Sequence, residues 1–219
     1  MTPEEPEYEK QVPSPFERGF ERLAERLVPL VPARITPNQI TALSFACGLF
    51  AAAAFFLAGV HRAWFWAAAA GIFGHLLGDS LDGVVARERG MRSPRGHFFD
   101  QFADVTAAIA IFLGIGFSSY ARIEVMLFPA VLYPYHLMVM LHWIHLTGQW
   151  PFPRFGPFEL HFVLIVLAVV SAIVVIEPVA IAGYGFSLFD LVALVAAPLS
   201  LIELFASAAR LFRRLPGPG

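Results

Sequence analysis

The sequence predicts an all-α integral membrane protein, with six transmembrane helices preceded by an N-terminal amphipathic interfacial helix. Three observations carry this prediction. The 219 residues are 58% hydrophobic and 15% charged, with a mean hydropathy of +0.66, which is too apolar for a soluble domain of this size. Six apolar runs, at roughly 40–60, 63–86, 97–119, 124–146, 159–182 and 186–209, are each long enough to cross a hydrocarbon core of about 30 Å as a helix. With the N-terminus in the cytoplasm, all of the 15 Lys and Arg except Arg62 and Arg122 fall on the cytoplasmic side, the bias that sets membrane orientation.

The elements follow in order. Residues 1–35 read as a cytoplasmic tail and juxtamembrane helix, and residues 36–214 as the membrane domain. The tail is acidic (Glu4, Glu5, Glu7, Glu9) and reads as a solvated leader. No h-region follows the start, so no cleaved signal peptide is expected. Over 14–31, Phe16, Phe20, Leu23, Leu27 and Leu30 recur at helical spacing between Glu and Arg. That pattern fits a helix lying in the cytoplasmic interface or packed on the bundle's end. The breaks between spans carry turn or charge signals: His61-Arg62, then Arg87 to Arg95 with Gly90 and Pro94, then Ser118-Ser119 to Glu124, the proline-rich run from Gln149 to Pro157, and Glu177-Pro178 to Gly185. Both termini, and the loop after the second span, are then cytoplasmic. Cys47, the single cysteine, sits in an apolar run as a packing residue. The net charge of −2 identifies no partner, and no nucleic-acid partner is expected.

The chemistry is concentrated in one stretch. Asp79, Asp82, Asp100 and Asp104 lie within 26 residues, in sequence apolar enough to cross a membrane. At about 2.5–3.5 kcal/mol each, four unpaired carboxylates at span centres would cost about 10 kcal/mol or more. They are tolerated facing a protein interior or wet cavity with a counter-charge, and hard divalent cations suit clustered oxygens. Asp79 and Asp82, at i and i+3, share one helix face about 60° apart. Gly83 and Ala86 fall on that face and leave room for a ligand to approach the helix. Asp100 and Asp104, at i and i+4, share a stripe with Gly96. The short connection makes the two helices antiparallel neighbours with converging carboxylates. Arg87, Arg89, Arg92 and Arg95 ring the entrance. Metal ions beside a basic rim suit a diphosphate.

The spacing D-x2-D-G-x2-A-R-x8-G-x3-D-x3-D resembles the signature of the CDP-alcohol phosphotransferases, also called CDP-alcohol phosphatidyltransferases. It is matched at Asp79, Asp82, Gly83, Ala86, Arg87, Gly96, Asp100 and Asp104. Thr36-Pro37-Asn38-Gln39-Ile40-Thr41 is similar to the family's Pro-Asn-x-x-Thr segment before the first span. The resemblance implies that Asp79, Asp82, Asp100 and Asp104 hold two Mg²⁺ or Mn²⁺ ions, with Asp104 also the general base. It implies room for cytidine at Gly83 and Ala86, a phosphate on Arg87 and donor phosphates near Ser93. It places Asn38, Gln39, Ile40 and Thr41 over the nucleotide, and it implies a homodimer. The expected reaction is metal-dependent transfer of a substituted phosphoryl group from a CDP-linked donor to an alcohol acceptor in phospholipid synthesis, releasing CMP on the cytoplasmic side.

Other residues leave alternatives open. His75, one turn deeper than Asp79, is an acceptor or lipid contact, or a hydrogen-bonded packing residue. His136, His142 and His145, with Trp143 and Trp150, read as interface residues rather than metal ligands. His97 and Gln101 shape acceptor choice or pack. Trp143, Thr147-Gly148 and Gly156-Pro157-Phe158-Glu159 resemble a segment of the choline/ethanolamine phosphotransferase branch, although Gln101 and Phe158 depart from it. Glu159 is thus an acceptor residue or a carboxylate at a helix N-terminus. Asp190 and Glu203 are paired or interfacial. An intramembrane Mg²⁺-diphosphate prenyltransferase and a non-enzymatic cation transporter are the rival classes. CDP-diacylglycerol with a polar acceptor, and CDP-choline or CDP-ethanolamine with diacylglycerol, share the same cytidine diphosphate core, so the signature does not separate them.

Overall fold

The computed structural model describes residues 15–148 and 157–215. The acidic tail, Trp150 and Gly156 lie outside the described residues, as do the side chains of Phe16 and Pro157. Among the described residues seven helices run in order: α1 (Pro15–Leu27), α2 (Pro37–Ala58), α3 (Trp64–Glu88), α4 (Pro94–Gly116), α5 (Ile123–Thr147), α6 (Pro157–Ile173) and α7 (Leu188–Arg214), with one 3-10 turn after α1. Helices α2, α4, α5 and α7 are long and apolar enough to cross a membrane. Helix α6 is apolar but shorter, and α3 is broken in its apolar run by His75, Asp79 and Asp82.

Helices α2 and α3 make the most extensive contact of the bundle. A Cβ on Gly71 would lie 2.9 Å from the Ala51 Cβ, one on Gly74 3.1 Å from the Cys47 Sγ, and one on Gly78 2.7 Å from the Ser44 Cβ. Side-chain-free positions let the backbones meet, which substitutes for the hydrophobic drive that lipid does not supply. The main core lies on this pair, with Phe55, Phe65, Ile72, Ile111 and Ile115 almost fully buried. Helix α1 packs on the same end of the bundle as the aspartates. Ala24 is buried against Val28, Ile40, Val84 and Val85, and Phe20 meets Phe73 and Phe158 at ring-centroid distances of 5.4 and 5.7 Å. Leu23 and Leu30 of the expected apolar stripe face outward. Arg89 donates to the carbonyls of Val31 and Ile35 at 2.7 and 2.9 Å and fastens the α1–α2 connection to the end of α3.

The fifth apolar run, 159–182, is corrected: its helix ends at Ile173. Arg62, from the α2–α3 connection, donates to the carbonyls of Ala172 and Ile173 at 3.0 and 2.9 Å and satisfies the last turn. Pro178 disfavours helix at the residue before it. Val179–Ile181 (β1) and Tyr184–Phe186 (β2) then form an antiparallel hairpin, Ile181 opposite Tyr184. Its two-residue turn, Ala182-Gly183, has φ of 52° and 81°, the left-handed values such loops need. Asp190 is buried as the third residue of the α7 capping box, exchanging bonds with Ser187 and accepting from the Arg122 amide at 2.8 Å. Trp143 is buried, its Nε1 donating to the Ser207 carbonyl at 3.3 Å, with the Arg214 guanidinium 5.0 Å from its ring. It therefore bridges α5 and α7.

Candidate active site

The C-terminal end of α3 and the N-terminal end of α4 stand side by side. The side chain of Ser93 caps α4 by accepting from the Gly96 amide at 3.1 Å, fixing the helix start seven residues before Asp100. Single carboxylate oxygens of Asp79, Asp100 and Asp104 lie within 4.8 Å of one another. Three half-buried carboxylates at that separation form a hard-oxygen donor set of the kind a divalent cation takes. Asp82, on the same face of α3, is buried and accepts a 2.5 Å hydrogen bond from the hydroxyl of Thr41, which ties the start of α2 to the cluster.

Gly83 is open. Among the described residues a Cβ there would meet only the Arg87 Nη1, at 3.9 Å, so the space beside the carboxylates is bordered by the end of one flexible side chain. Ala86 is half-buried one turn further on. Arg87 makes a 2.6 Å ion pair with Glu21 of α1, both partners partly exposed. Gly96 is hemmed in: a Cβ would lie 3.0 Å from the Asn38 Oδ1, which brings the exposed Asn38 next to the start of α4. Gln39 and Ile40 do other work. The Gln39 side chain accepts from the Thr36 amide at 2.9 Å to cap α2, and Ile40 is buried beneath α1. Gln101 Nε2 donates to Asp100 at 3.4 Å, while its Oε1 is buried with no hydrogen-bond partner among the described residues.

Behind the cluster, His75 is buried, its Nε2 3.7 Å from Asp104 Oδ1. Its Nδ1 is 3.2 Å from the carbonyl of Ser44. A carbonyl only accepts, so that nitrogen carries the proton and Nε2 faces the carboxylate. Two residues that sequence reasoning passed over continue inward. The buried His161 ring lies 5.5 Å from His75 and 6.2 Å from Tyr133. His161 is two positions from Glu159, which is half-buried. His97, His142 and His145 are exposed.

The bundle thus presents clustered carboxylates beside an open small-residue position, the setting of a metal-dependent membrane enzyme. The sequence pattern of the CDP-alcohol phosphatidyltransferase family matches residues 34–204. The chain belongs to that family and is an integral membrane phosphotransferase. Among solved structures it is similar to Mycobacterium tuberculosis phosphatidylinositol phosphate synthase (PgsA1) with CDP-DAG bound. That pair is 19% identical, with a TM-score of 0.61 over 87% of this chain and 94% of the other. The same protein in complex with manganese and citrate matches at 17% identity and TM-score 0.48, over 74% and 96% of the two chains. No curated protein matches in sequence.

Proposed function

We propose that this enzyme transfers a substituted phosphoryl group from a CDP-linked donor to an alcohol and releases CMP, as a step of phospholipid synthesis. The meeting of Asp79, Asp100 and Asp104 beside the bare face at Gly83 supports this reading most directly. The likeness to a protein solved with CDP-DAG adds a CDP-linked lipid as one candidate donor.

Asp79, Asp82, Asp100 and Asp104 would hold two divalent ions, Mg²⁺ or Mn²⁺, which neutralise the diphosphate and the departing CMP. Gly83 and Ala86 admit the cytidine, and Asn38 and Thr41 border it. Gln39 and Ile40 support that border from behind. Arg87 leaves Glu21 to bind a donor phosphate, and Ser93 and Gly96 present the start of α4 to the same charge. Asp104 takes the proton of the acceptor hydroxyl as that oxygen attacks the phosphorus distal to cytidine. The bond from that phosphorus to the bridging oxygen breaks, and CMP carries the oxygen away. His75 lies behind Asp104, and Glu159 stands towards the acceptor side.

Helices α3 and α6 complete six spans, with α1 in the cytoplasmic interface. Both termini and the aspartate site face the cytoplasm, in line with the distribution of basic residues. The homodimer implied by the family is read from the mass of the protein in nanodiscs.

The test is CMP release by purified protein with Mg²⁺. One arm supplies CDP-diacylglycerol with a pool of polar acceptors, and the other CDP-choline or CDP-ethanolamine with diacylglycerol. CMP from one arm identifies the donor. CMP from neither, against an Asp104→Asn blank, refutes the reading.

A further inference from the structure

Arg87 faces two ways. Its Nη2 donates to the Glu21 Oε1 at 2.6 Å, and its Nη1 would lie 3.9 Å from a Cβ on Gly83. One guanidinium therefore borders both α1 and the open space beside the carboxylates. The position of Glu21 is set by the helix that carries it. Phe20, one residue before, packs on Phe73 and Phe158, and Ala24, three residues after, is buried against Val84 and Val85. A packed helix thus presents the carboxylate to Arg87, 66 positions away in the chain. A guanidinium keeps its charge at any ordinary pH and matches carboxylate and phosphate alike. An acid held there competes with any phosphate arriving from the Gly83 side.

We propose that Glu21 is an internal stand-in for the donor phosphate. It holds Arg87 while the site is empty, yields it to the CDP-linked donor, and takes it back as CMP leaves. The inference rests on the phosphotransferase reading for the identity of the phosphate. Glu21 acts through Arg87 and touches no reacting atom, so it is a positioning residue. The side chains of Arg87 and Glu21 are 32% and 25% accessible. At the strength usual for pairs so exposed, Arg87 is free in roughly 15–40% of molecules. Apparent affinity falls by that fraction, a penalty of about two- to sixfold on donor and product alike. The donor carries two phosphates and CMP one, so recapture of Arg87 removes a larger share of what holds CMP and speeds its departure.

The test is Glu21→Gln, which keeps the side chain's size and removes its charge. Calorimetric titration of the full chain in detergent with Mg²⁺ is expected to show CDP and CMP each bound about two- to sixfold more tightly than by the parent protein. KM for the donor falls to match. A folded variant that binds both nucleotides no more tightly than the parent overturns the inference. If Glu21→Gln fails to fold, Glu21→Asp gives the same reading, because it keeps an acid on α1 and withdraws it from Arg87. Glu21→Gln in an Arg87→Gln background separates exchange from general repulsion between carboxylate and phosphate. No further gain there supports exchange, and the same gain overturns it. Thermal shift at millimolar CDP and CMP extends that comparison to weak binding. CMP release by the parent with no gain in the variants refutes the exchange and leaves the reaction standing. A gain in nucleotide affinity without CMP release refutes the reaction and leaves the exchange standing.

Discussion

Two glycines five residues apart on α3 have opposite surroundings, and substituting each separates packing from ligand space. At Gly78 a Cβ would lie 2.7 Å from the Ser44 Cβ and 3.1 Å from its Cα. Backbone cannot swing aside, so Gly78→Ala forces α2 and α3 apart at a cost of about 1–3 kcal/mol, the usual range for overpacking. At Gly83 the nearest atom would be the flexible end of Arg87, at 3.9 Å, so Gly83→Ala leaves folding unchanged. Gly83→Leu has free volume in the unliganded protein and also folds, but its branched end occupies the space proposed for the cytidine. The same 1–3 kcal/mol then falls on the complex, weakening donor affinity by about 5- to 150-fold. Thermal unfolding in detergent and calorimetric titration with CDP in Mg²⁺ read the two effects separately. Unchanged CDP affinity in Gly83→Leu refutes the close-approach argument. A loss of stability in Gly83→Ala equal to that in Gly78→Ala refutes the geometry behind it.

Further outcomes follow from the same contacts. Asp104→Asn keeps the side chain's size and removes the base, so CMP release should fall by about 10²–10⁴-fold while CDP binding measured by titration persists. Thr41→Val removes the donor to buried Asp82 and should destabilise the protein by about 1–3 kcal/mol, seen as a lower melting temperature; an unchanged value would mean Asp82 is satisfied elsewhere. Asp190→Ala removes the α7 cap and the bond to the Arg122 amide, for a loss of about 0.5–2 kcal/mol, with KM for the donor unaffected. Chelation with EDTA should abolish CMP release, and added Mg²⁺ or Mn²⁺ should restore it.

What could be read from the sequence was whatever repeats locally or sits at fixed short spacing. Asp79 with Asp82, and Asp100 with Asp104, are one turn apart on their helices, and the short loop between the helices leaves little freedom in how they meet. The extent of α6 was not legible in the same way. Hydropathy continues through Val174, Val175 and Ile176, and the residue that caps the helix, Arg62, is 110 positions from Ala172. Tyr133 and His161 escaped notice for a similar reason. Each is an isolated residue in an apolar helix, and only packing aligns them behind His75. Gln39 and Ile40 show the converse: inside a motif they read as ligand-facing, yet helical geometry turns one to a cap and the other to the core beneath α1.

The glycine contacts along α2 and α3 also divide the bundle mechanically. Where backbones touch there is no side chain to rotate, and displacement must move a whole helix. Asp79 and Asp82 are mounted at the end of that stiff pair, and α4, which carries Asp100 and Asp104, meets α2 as closely, since a Cβ on Gly114 would strike the Ala52 carbonyl oxygen. Across the bundle, α5, α6 and α7 meet through rotatable side chains around unfilled space, and that wall can yield by single rotamer changes. Charge geometry is therefore held by the stiffer half of the molecule. Changes in the lining of the compliant half leave the spacing of the aspartates undisturbed.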